Sequence, residues 1–186
     1  MIAIYGSPRK GGNSEILLDA FLGPVEPKMK VVKFRLGEME LQPCISCGHC
    51  SQYGKCIFND DIEELFQAIE SSDKLVIASP IFFTTVPAQV KSFVDRAQSY
   101  WERKRLADKD TRLPAKKGFF LAVGAMKTER YFQNARMVIK SLMNTLDISY
   151  TGELFYPGVD AKGAIRDIPG ALDQAEAAGA VFAADL

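Results

Sequence analysis

All four cysteines and the single histidine of this 186-residue chain fall within one stretch, PCISCGHCSQYGKC, residues 43–56. A thiolate is a good ligand for soft metals and a good redox group, whereas a hydroxyl or amide is neither. When cysteines crowd into one loop of a protein kept in a reducing compartment, they more often serve metal, cluster or redox chemistry than a structural disulfide framework. The stretch therefore predicts a redox or metal centre.

The spacing of the cysteines narrows the kind of centre. Cys44, Cys47, Cys50 and Cys56 follow the pattern C-x2-C-x2-C-x5-C. The first three repeat the run that holds a 4Fe-4S cluster in bacterial ferredoxins, and Cys56 completes four thiolate ligands for one cluster. Structural zinc is the main alternative, although it usually uses two separated C-x2-C pairs. A disulfide or an empty site is the third, because the motif indicates capacity rather than occupancy.

His49 lies inside the same stretch, and nothing in its spacing requires it as a ligand, so we expect a solvated loop residue. Because no cysteine or histidine occurs elsewhere, a Cys-His pair or a zinc-protease helix cannot form in the rest of the chain. The reactive centre is therefore expected to be a cofactor.

A second motif, GSPRKGGNS at residues 6–14, suits a phosphate. It follows a predicted strand and opens a predicted helix, whose first N–H groups favour an anion. Two glycines allow close backbone approach, and the polar candidates are Ser7, Arg9, Gly12, Asn13 and Ser14. Neither the G-x-x-x-x-G-K-[ST] pattern nor G-x-G-x-x-G is present. The alternative is an ordinary glycine-rich turn.

A third stretch, SPIFFTTVPAQVKSFVDR, begins where another predicted strand ends. Pro80, Ile81, Phe82 and Phe83 provide main-chain N–H groups and an aromatic wall for a flat ring. Taken alone, the two phenylalanines are more simply explained as core residues. The end of a further strand, VGAMK, offers another wall.

The elements that position these motifs alternate along the chain. Apolar runs predict five strands: MIAIY, MKVVKFRL, KLVIAS, GFFLAV and ISYTGELFY. Each is followed by a segment with helical apolar spacing: SEILLDAFL, DIEELFQAIESS, PAQVKSFVDRAQSYWERKRL, ERYFQNARMVIKSLMNTL and a last helix from about Pro169. Asp60 or Asp61 is expected to cap the second helix, and Pro87 to lie near the start of the third. Five βα units predict a flavodoxin-like parallel sheet of order 2-1-3-4-5, with ligands at the carboxyl ends of the strands.

Bulk properties set the remaining limits. With 47% apolar residues, the chain is expected to form a single domain over residues 1–186, with the cysteine loop at about 42–58. The 23 basic and 23 acidic residues balance, which argues against nucleic acid. We find no signal peptide or membrane-spanning run and expect a cytoplasmic protein without a membrane partner.

The motifs together resemble a known family. GSPRKGGNS and SPIFFTTVPAQVKSFVDR look like the NAD(P)H-dependent FMN reductase superfamily, whose first loop reads S-P-R-x-x-G-N-[ST]. The added CISCGHCSQYGKC makes the chain similar to the iron-sulfur flavoproteins of that superfamily. The resemblance implies that residues 7, 9 and 12–14 surround an FMN phosphate. It also implies that Pro80, Ile81, Phe82, Phe83 and Thr84, with Gly124, flank the isoalloxazine ring.

The leading hypothesis is therefore a flavin-dependent electron-transfer oxidoreductase that contains FMN and a 4Fe-4S cluster. One alternative is an NAD(P)H-dependent FMN or quinone reductase without a working cluster, and another is a non-enzymatic binding module with structural zinc. The expected donor is NAD(P)H or a small redox protein such as ferredoxin. The basic segment at 101–117 would suit a 2′-phosphate but is more simply a solvated face. We expect a homodimer or homotetramer, because an exposed flavin edge often gains cover from a symmetric partner.

Overall fold

The fold alternates strands and helices along the chain, as a computed structural model describes for residues 1–107 and 116–184. The strands are β1 (Ile2–Tyr5), β2 (Val32–Arg35), β3 (Lys74–Pro80), β4 (Lys116–Gly124) and β5 (Ile148–Pro157). The α-helices are α1 (Asn13–Leu22), α2 (His49–Tyr53), α3 (Ile62–Glu70), α4 (Ala88–Leu106), α5 (Gln133–Thr145) and α6 (Ala171–Ala184). Short 3₁₀ turns span Glu129–Phe132 and Ala164–Asp167.

The five strands form one parallel sheet in the order β2-β1-β3-β4-β5. This is the flavodoxin-like order, so the fold predicted from the sequence is confirmed. The order reverses between β1 and β3, which places the ends of these two strands at the switch point where such sheets bind ligands. The site is therefore to be sought where Tyr5 and Pro80 end their strands.

Helices cover both faces of the sheet. One apolar layer packs under α3, α4 and α5, around Phe66, Phe93 and Ile139, and the other packs under α1 and α6, around Phe21 and Phe182. The central strand β3 is buried almost throughout, because it has a neighbouring strand on each side and helices on both faces. No helix in the described ranges is both long and apolar enough to cross a membrane.

Two buried lysines at strand starts hold helix ends. Lys74 Nζ donates to the carbonyls of Phe182, at 2.6 Å, and Ala183, at 3.0 Å. Lys116 Nζ donates to the Ile69 carbonyl at 2.8 Å and to the Glu70 carbonyl at 2.7 Å. The last carbonyls of a helix lack intrahelical partners, and an ammonium there complements the helix dipole. These contacts fix α6 and α3 against the edge of the sheet opposite the candidate site.

The structure differs from the sequence-based expectations in detail. The helix α2 inside the cysteine loop was not predicted. Asp61 does stand at the N-terminus of α3, but its carboxylate accepts a hydrogen bond from Glu40 N at 2.8 Å rather than capping the helix. Pro87 immediately precedes α4, as expected. In the basic segment at 101–117, residues 108–115 lie outside the described residues.

Candidate functional site

A cavity of about 160 Å³ lies at the carboxyl edge of β1, β3, β4 and β5. Nine of the eleven residues expected to hold a cofactor line it: Ser7, Arg9, Gly12, Asn13, Ser14, Pro80, Ile81, Phe82 and Gly124. The two others, Phe83 and Thr84, do not. The chain thus brings the phosphate motif and the aromatic stretch to one place, although 65 residues separate their ends.

The loop after β1 is held in a compact turn. Ser7 Oγ accepts a hydrogen bond from Arg9 N at 3.0 Å and lies 3.3 Å from Arg9 O. Gly11 adopts a left-handed φ of +65°, which a side chain rarely tolerates. A Cβ on Gly12 would lie 3.3 Å from Arg9 O and 3.4 Å from Ser7 Oγ. The motif therefore needs glycine at both positions for the backbone to close over the start of α1.

The N-terminus of α1 opens into this cavity without a capping side chain. Its first N–H groups have no intrahelical acceptor, and the helix dipole favours an anion beside them. Glu15 does not fill this role, because its carboxylate accepts from Gly11 N at 2.9 Å and pairs with Arg35 at 2.9 Å. Burial would raise the pKa of Glu15, but these two partners outweigh it and hold the pKa below its usual range. The residues present therefore fit a phosphate.

Asn13 contributes differently from the expectation that its side chain caps the helix or donates to a ligand. Its amide Nδ2 donates to Ala161 O at 2.8 Å, and its Oδ1 accepts from Ile165 N at 3.3 Å. The side chain thus ties the segment after β5 to the phosphate loop. Only the backbone N–H of Asn13 is left to face a ligand.

That segment supplies lining residues that were not predicted. They are Val159, Asp160 and Lys162, together with Val123 and Ala125 at the end of β4. In the described part of the chain neither Arg9 nor Lys162 forms an ion pair, so two cations flank the helix N-terminus. The signal available in the sequence was topological, because the carboxyl end of β5 shares an edge with the other strands.

The segment after β3 makes a tight turn. Phe82 and Thr85 pair through Phe82 N to Thr85 O at 2.9 Å and Thr85 N to Phe82 O at 3.1 Å. Phe83 and Thr84 form the two-residue tip, with φ of +46° and +66°. Asn and Gly normally occupy such a tip, so this one is strained. Phe83 is fully exposed here, which is why it was wrong to expect a core residue and why it stays outside the cavity.

Gly124 ends β4 against the opposite wall. A Cβ there would lie 3.2 Å from both Ile81 Cβ and Phe132 Cζ. The Gly124 carbonyl accepts a hydrogen bond from Val159 N at 2.9 Å, which joins the ends of β4 and β5. The absence of a side chain therefore lets three chain segments meet at the cavity.

All four cysteines line a second cavity of about 450 Å³, between the cysteine loop and α4. Each is a free thiol, and Cys44 and Cys47 are exposed. The loop bends through left-handed residues at Ser46, Gly48 and Gly54, and the last two bound α2. His49 packs against the Tyr53 ring at 4.5 Å and does not line the cavity.

A buried ion pair closes the cysteine loop. Arg96 Nη1 donates to Asp60 Oδ2 at 2.6 Å and to Gln42 O at 2.7 Å, and Nη2 donates to Asp60 Oδ1 at 2.9 Å. Asp60 also accepts from Gln42 N at 2.9 Å, so one carboxylate holds both ends of the loop. Burial would raise the pKa of Asp60, but Arg96 and the Gln42 N–H outweigh it and lower the pKa.

The sequence-based reasoning missed Arg96, which is 1% exposed on α4. Phe93, Ala97 and Tyr100 are also buried on this helix, and position 96 falls on the same face. That spacing was the signal available in the sequence, because a charged residue on an apolar face needs a buried partner.

The electrostatics of the second cavity oppose free thiolates. Burial, and next the charge of Glu102, raise the pKa of the Cys50 thiol, with smaller contributions from Cys56 and Cys44. The thiols are therefore near enough to interact, yet no three His, Cys, Asp or Glu side chains among the described residues converge closely enough to hold one metal ion. The donor set fits a multi-iron cluster, whose ligands stand further apart than those of a single ion.

The two cavities share no lining residue. The helix α4 begins beside the first cavity, and its residues Asp95 to Glu102 line the second. At about 1.5 Å of rise per residue, these positions lie about 10 to 20 Å along the helix axis from its start. The cysteine loop therefore leaves the same sheet edge as the phosphate loop but carries its thiols down the helix.

Comparison with known proteins places this geometry in context. A profile of the NADPH-dependent FMN reductase family matches residues 1–150. Similar sequences include an iron-sulfur flavoprotein of Archaeoglobus fulgidus, 38% identical over 109 residues, which are 58% of this chain and 50% of the relative. Another, from Methanosarcina thermophila, is 31% identical over 125 residues, or 67% of this chain and 62% of the relative. The chain thus spans about half to three fifths of these curated relatives.

Solved structures show the same fold at low sequence identity. An NAD(P)H:quinone oxidoreductase from Methanothermobacter marburgensis is 20% identical, with a TM-score of 0.70 over 96% of this chain and 93% of the other. An FMN-dependent NADH-azoreductase from Bacillus anthracis, solved with FMN, is 14% identical, with a TM-score of 0.71 over 98% of both chains. These likenesses concern the fold, whereas the profile match covers most of the sequence. The chain belongs to the NADPH-dependent FMN reductase family.

Proposed function

We propose that this protein is an FMN-containing iron-sulfur flavoprotein, an electron-transfer oxidoreductase in which a 4Fe-4S cluster and FMN exchange electrons. The observation that carries the proposal is the pairing of two cavities, one lined by four cysteines and the other by an uncapped helix N-terminus. Membership of the FMN reductase family supports the flavin half. The names of the sequence relatives support the iron-sulfur half.

In the flavin half, Ser7, Arg9 and Ser14 with the first N–H groups of α1 would hold the phosphate. Because the cavity volume of about 160 Å³ is below the range of about 300 to 1,000 Å³ common for whole ligands, we expect the ring at the open edge. There Pro80–Phe82 and Gly124 would flank it, and Phe83 and Thr84 would form the rim. When bound, FMN accepts a hydride or two electrons and releases them singly.

In the iron-sulfur half, Cys44, Cys47, Cys50 and Cys56 would each bind one iron through a thiolate. With Zn–S bonds of about 2.3 Å, sulfurs on one zinc ion lie at most about 4.6 Å apart. The thiols here line a cavity of about 450 Å³ and do not converge on one point within the described residues, which favours a cluster over structural zinc. The cluster would supply one electron at a time.

The expected electron donors are NAD(P)H or a ferredoxin-like protein. The distance between the two cavities along α4 favours a homodimer or homotetramer in which the cysteines of one copy approach the flavin of another. Exposed apolar side chains in the cysteine loop, Ile45, Tyr53 and Ile57, would then be covered.

A second candidate is an NAD(P)H-dependent FMN or quinone reductase whose cysteines carry no working cluster. The separation of the cavities favours it, because hydride transfer to FMN needs nothing from the cysteine loop. The two candidates therefore differ in whether a one-electron donor reduces the flavin.

The deciding experiment is anaerobic purification and reconstitution, with FMN, iron, acid-labile sulfide and zinc measured on one sample. One FMN, four iron and four sulfide per chain are expected for one 4Fe-4S cluster. Flavin without iron and sulfide would support the second candidate. One zinc per chain without flavin would contradict both and indicate a binding module.

A further inference from the structure

Arg96 has one polar atom that the fold leaves unused. The side chain is 1% exposed and lines the cysteine cavity. Its Nη1 and Nη2 are bound by Asp60 and the Gln42 carbonyl, but its Nε is buried without a hydrogen-bond partner among the described residues. Leaving a buried donor of a charged group unsatisfied is costly, and such atoms in folded proteins call for a specific explanation.

The structural role of Arg96 is complete without Nε. The two Nη atoms close the cysteine loop by joining Gln42, before the first cysteine, to Asp60, after the last. Phe58 packs against the guanidinium at 5.3 Å from its ring centre. Asp60, the counter-charge, does not line the cavity, so the guanidinium lies between the ion pair and the thiols.

Cys56 is the thiol nearest in effect to this guanidinium. Burial would lower the pKa of Arg96, but Asp60 outweighs it and Cys56 adds to the raised pKa through charge and hydrogen bonding. The other charged residues that line the cavity, Asp95 and Glu102, are acidic. Arg96 is therefore the only cation among the described lining residues.

We propose that Arg96 is a positioning residue whose Nε–H donates a hydrogen bond to the Cys56 sulfur when the cysteines carry iron, and that this bond raises the reduction potential of the centre. The proposal rests on the iron-sulfur half of the proposed function. Reduction adds one electron and breaks no bond, and the added negative charge lies mainly on iron and sulfur. A donor from a buried cation stabilises that charge more than the oxidised state, and hydrogen bonds to sulfur are an established control of cluster potential.

The test is Arg96→Lys in protein reconstituted anaerobically with iron and sulfide. Lysine keeps a positive charge for Asp60 but has no Nε–H. We expect iron and sulfide at the wild-type ratio, and a midpoint potential lowered by about 59 mV if the preference for the reduced state falls tenfold. The potential is read from an EPR-monitored redox titration.

Phe58→Leu is the matched control. It disturbs the packing of the same guanidinium within the same cavity but leaves the donor in place, so its potential is expected to equal that of the wild type. An unchanged potential in a fully loaded Arg96→Lys protein would overturn the proposal, and so would an equal decrease in Phe58→Leu. If the wild type takes up no iron and sulfide, the proposed function itself is wrong.

A second measurement needs no variant and applies if Arg96→Lys does not fold. Wild-type protein labelled with ¹⁵N-arginine and reduced in the cluster-loaded form is expected to show a ¹⁵N hyperfine coupling in pulsed EPR. No other arginine in the described ranges lines the cavity, so the coupling identifies Arg96. Absence of the coupling would contradict a hydrogen bond from Nε.

Discussion

Arg9 and Ser14 reach the flavin-type cavity from the two sides of the phosphate loop. Replacing both with alanine is expected to weaken FMN much more than riboflavin, which has no phosphate. Each lost hydrogen bond to a charged group costs about 1.5 to 3 kcal/mol, so the loss for FMN should exceed tenfold. Fluorescence titration of the apoprotein with both ligands measures the two affinities.

Lys10→Ala is the control for that prediction. Lys10 is a neighbouring cation in the same loop, pairs with Glu38 at 2.8 Å and does not line the cavity. Its loss should leave both affinities nearly unchanged. Equal weakening of FMN and riboflavin by the Arg9 and Ser14 replacements would show that these residues do not hold the phosphate.

Asp60 carries an acid-sensitive part of the stability. Its pKa is lowered in the folded protein, so its contribution is full above the unfolded pKa of about 3.9 and is lost as pH falls through the folded pKa. Asp60→Asn leaves Arg96 buried without its counter-charge and is expected to cost about 3 to 5 kcal/mol at pH 7. The deficit should shrink below about pH 4. Urea unfolding of the metal-free protein from pH 7 to pH 3 measures it.

Asp95→Asn gives the comparison for Asp60. Asp95 pairs with Lys91 at 2.6 Å, but both side chains are nearly half exposed, and such helix pairs contribute about 0.3 to 0.5 kcal/mol. A loss in Asp60→Asn as small as in Asp95→Asn, or one that does not depend on pH, would contradict the buried ion pair.

Individual site residues were predictable where type and spacing both indicated a ligand. The cysteines, Arg9 and Gly12 are examples, because the motif itself restricts what they can do. Asn13 was placed correctly, but its side chain binds Ala161 and Ile165, which only the folded topology reveals. Arg96 was missed because a charged residue in a helix is usually solvated.

Among the elements, the turn after β3 stores strain beside the site. Its tip residues Phe83 and Thr84 are not glycine or asparagine yet have positive φ, which costs of order 1 to 3 kcal/mol each. The double replacement Phe83→Asn and Thr84→Gly is therefore expected to stabilise the protein by about 1 kcal/mol or more, because Asn-Gly suits this turn. Chemical denaturation measures the change.

FMN affinity is the companion measurement for the turn. Neither tip residue lines the cavity, so the affinity of the double variant should stay close to that of the wild type. Lower stability in the variant would show that the exposed Phe83 side chain has a stabilising contact. A large loss of FMN affinity would show that the rim contributes directly to binding.

The helices and strands were predictable where apolar spacing is long and regular. The strands β1, β3 and β4 are buried runs, and α3 and α5 are amphipathic, so their patterns are distinct. The five-residue α2 has no such pattern, because the glycines at 48 and 54 set its ends by left-handed conformations. The short 3₁₀ turns are set by the loops they close rather than by hydrophobic spacing.

At the scale of the whole molecule, the two cavities should respond independently. Cys47→Ser is expected to abolish or greatly weaken cluster binding, because a hydroxyl is a poor substitute for a soft thiolate. FMN binding should persist, since no residue lines both cavities. Reduction of the flavin by a ferredoxin-like donor should then slow sharply, while reduction by NAD(P)H should survive.

Stopped-flow absorbance with each donor, together with iron and sulfide assays, checks that prediction. Ser51→Ala is a suitable control, since Ser51 lies in the same loop and its hydroxyl donates to the Gly48 carbonyl at 2.7 Å. A Cys47→Ser protein that keeps its iron and sulfide, or that ferredoxin reduces at the wild-type rate, would contradict the relay.

The order of the strands followed from the alternation of elements and the handedness of their crossovers. The distance between the cavities did not follow, because it depends on how far the cysteine loop runs along α4. A loop that starts at one sheet edge can end its excursion anywhere on the adjoining face. Its course here is fixed by Arg96 and by contacts near Arg103 and Leu106, all on that helix.

The bonds from Asp60 and Asp61 to Gln42 and Glu40 bring the two ends of the cysteine loop together. A segment closed in this way behaves as a cassette, since its removal and rejoining would leave the path of the surrounding backbone almost unaltered. Loop-closure entropy also changes only slowly with length, so a shorter or longer cassette carries little penalty. The same scaffold can therefore gain, exchange or lose its thiol-bearing insert without redesign of the sheet, which makes this loop a natural site for grafting a different metal-binding sequence.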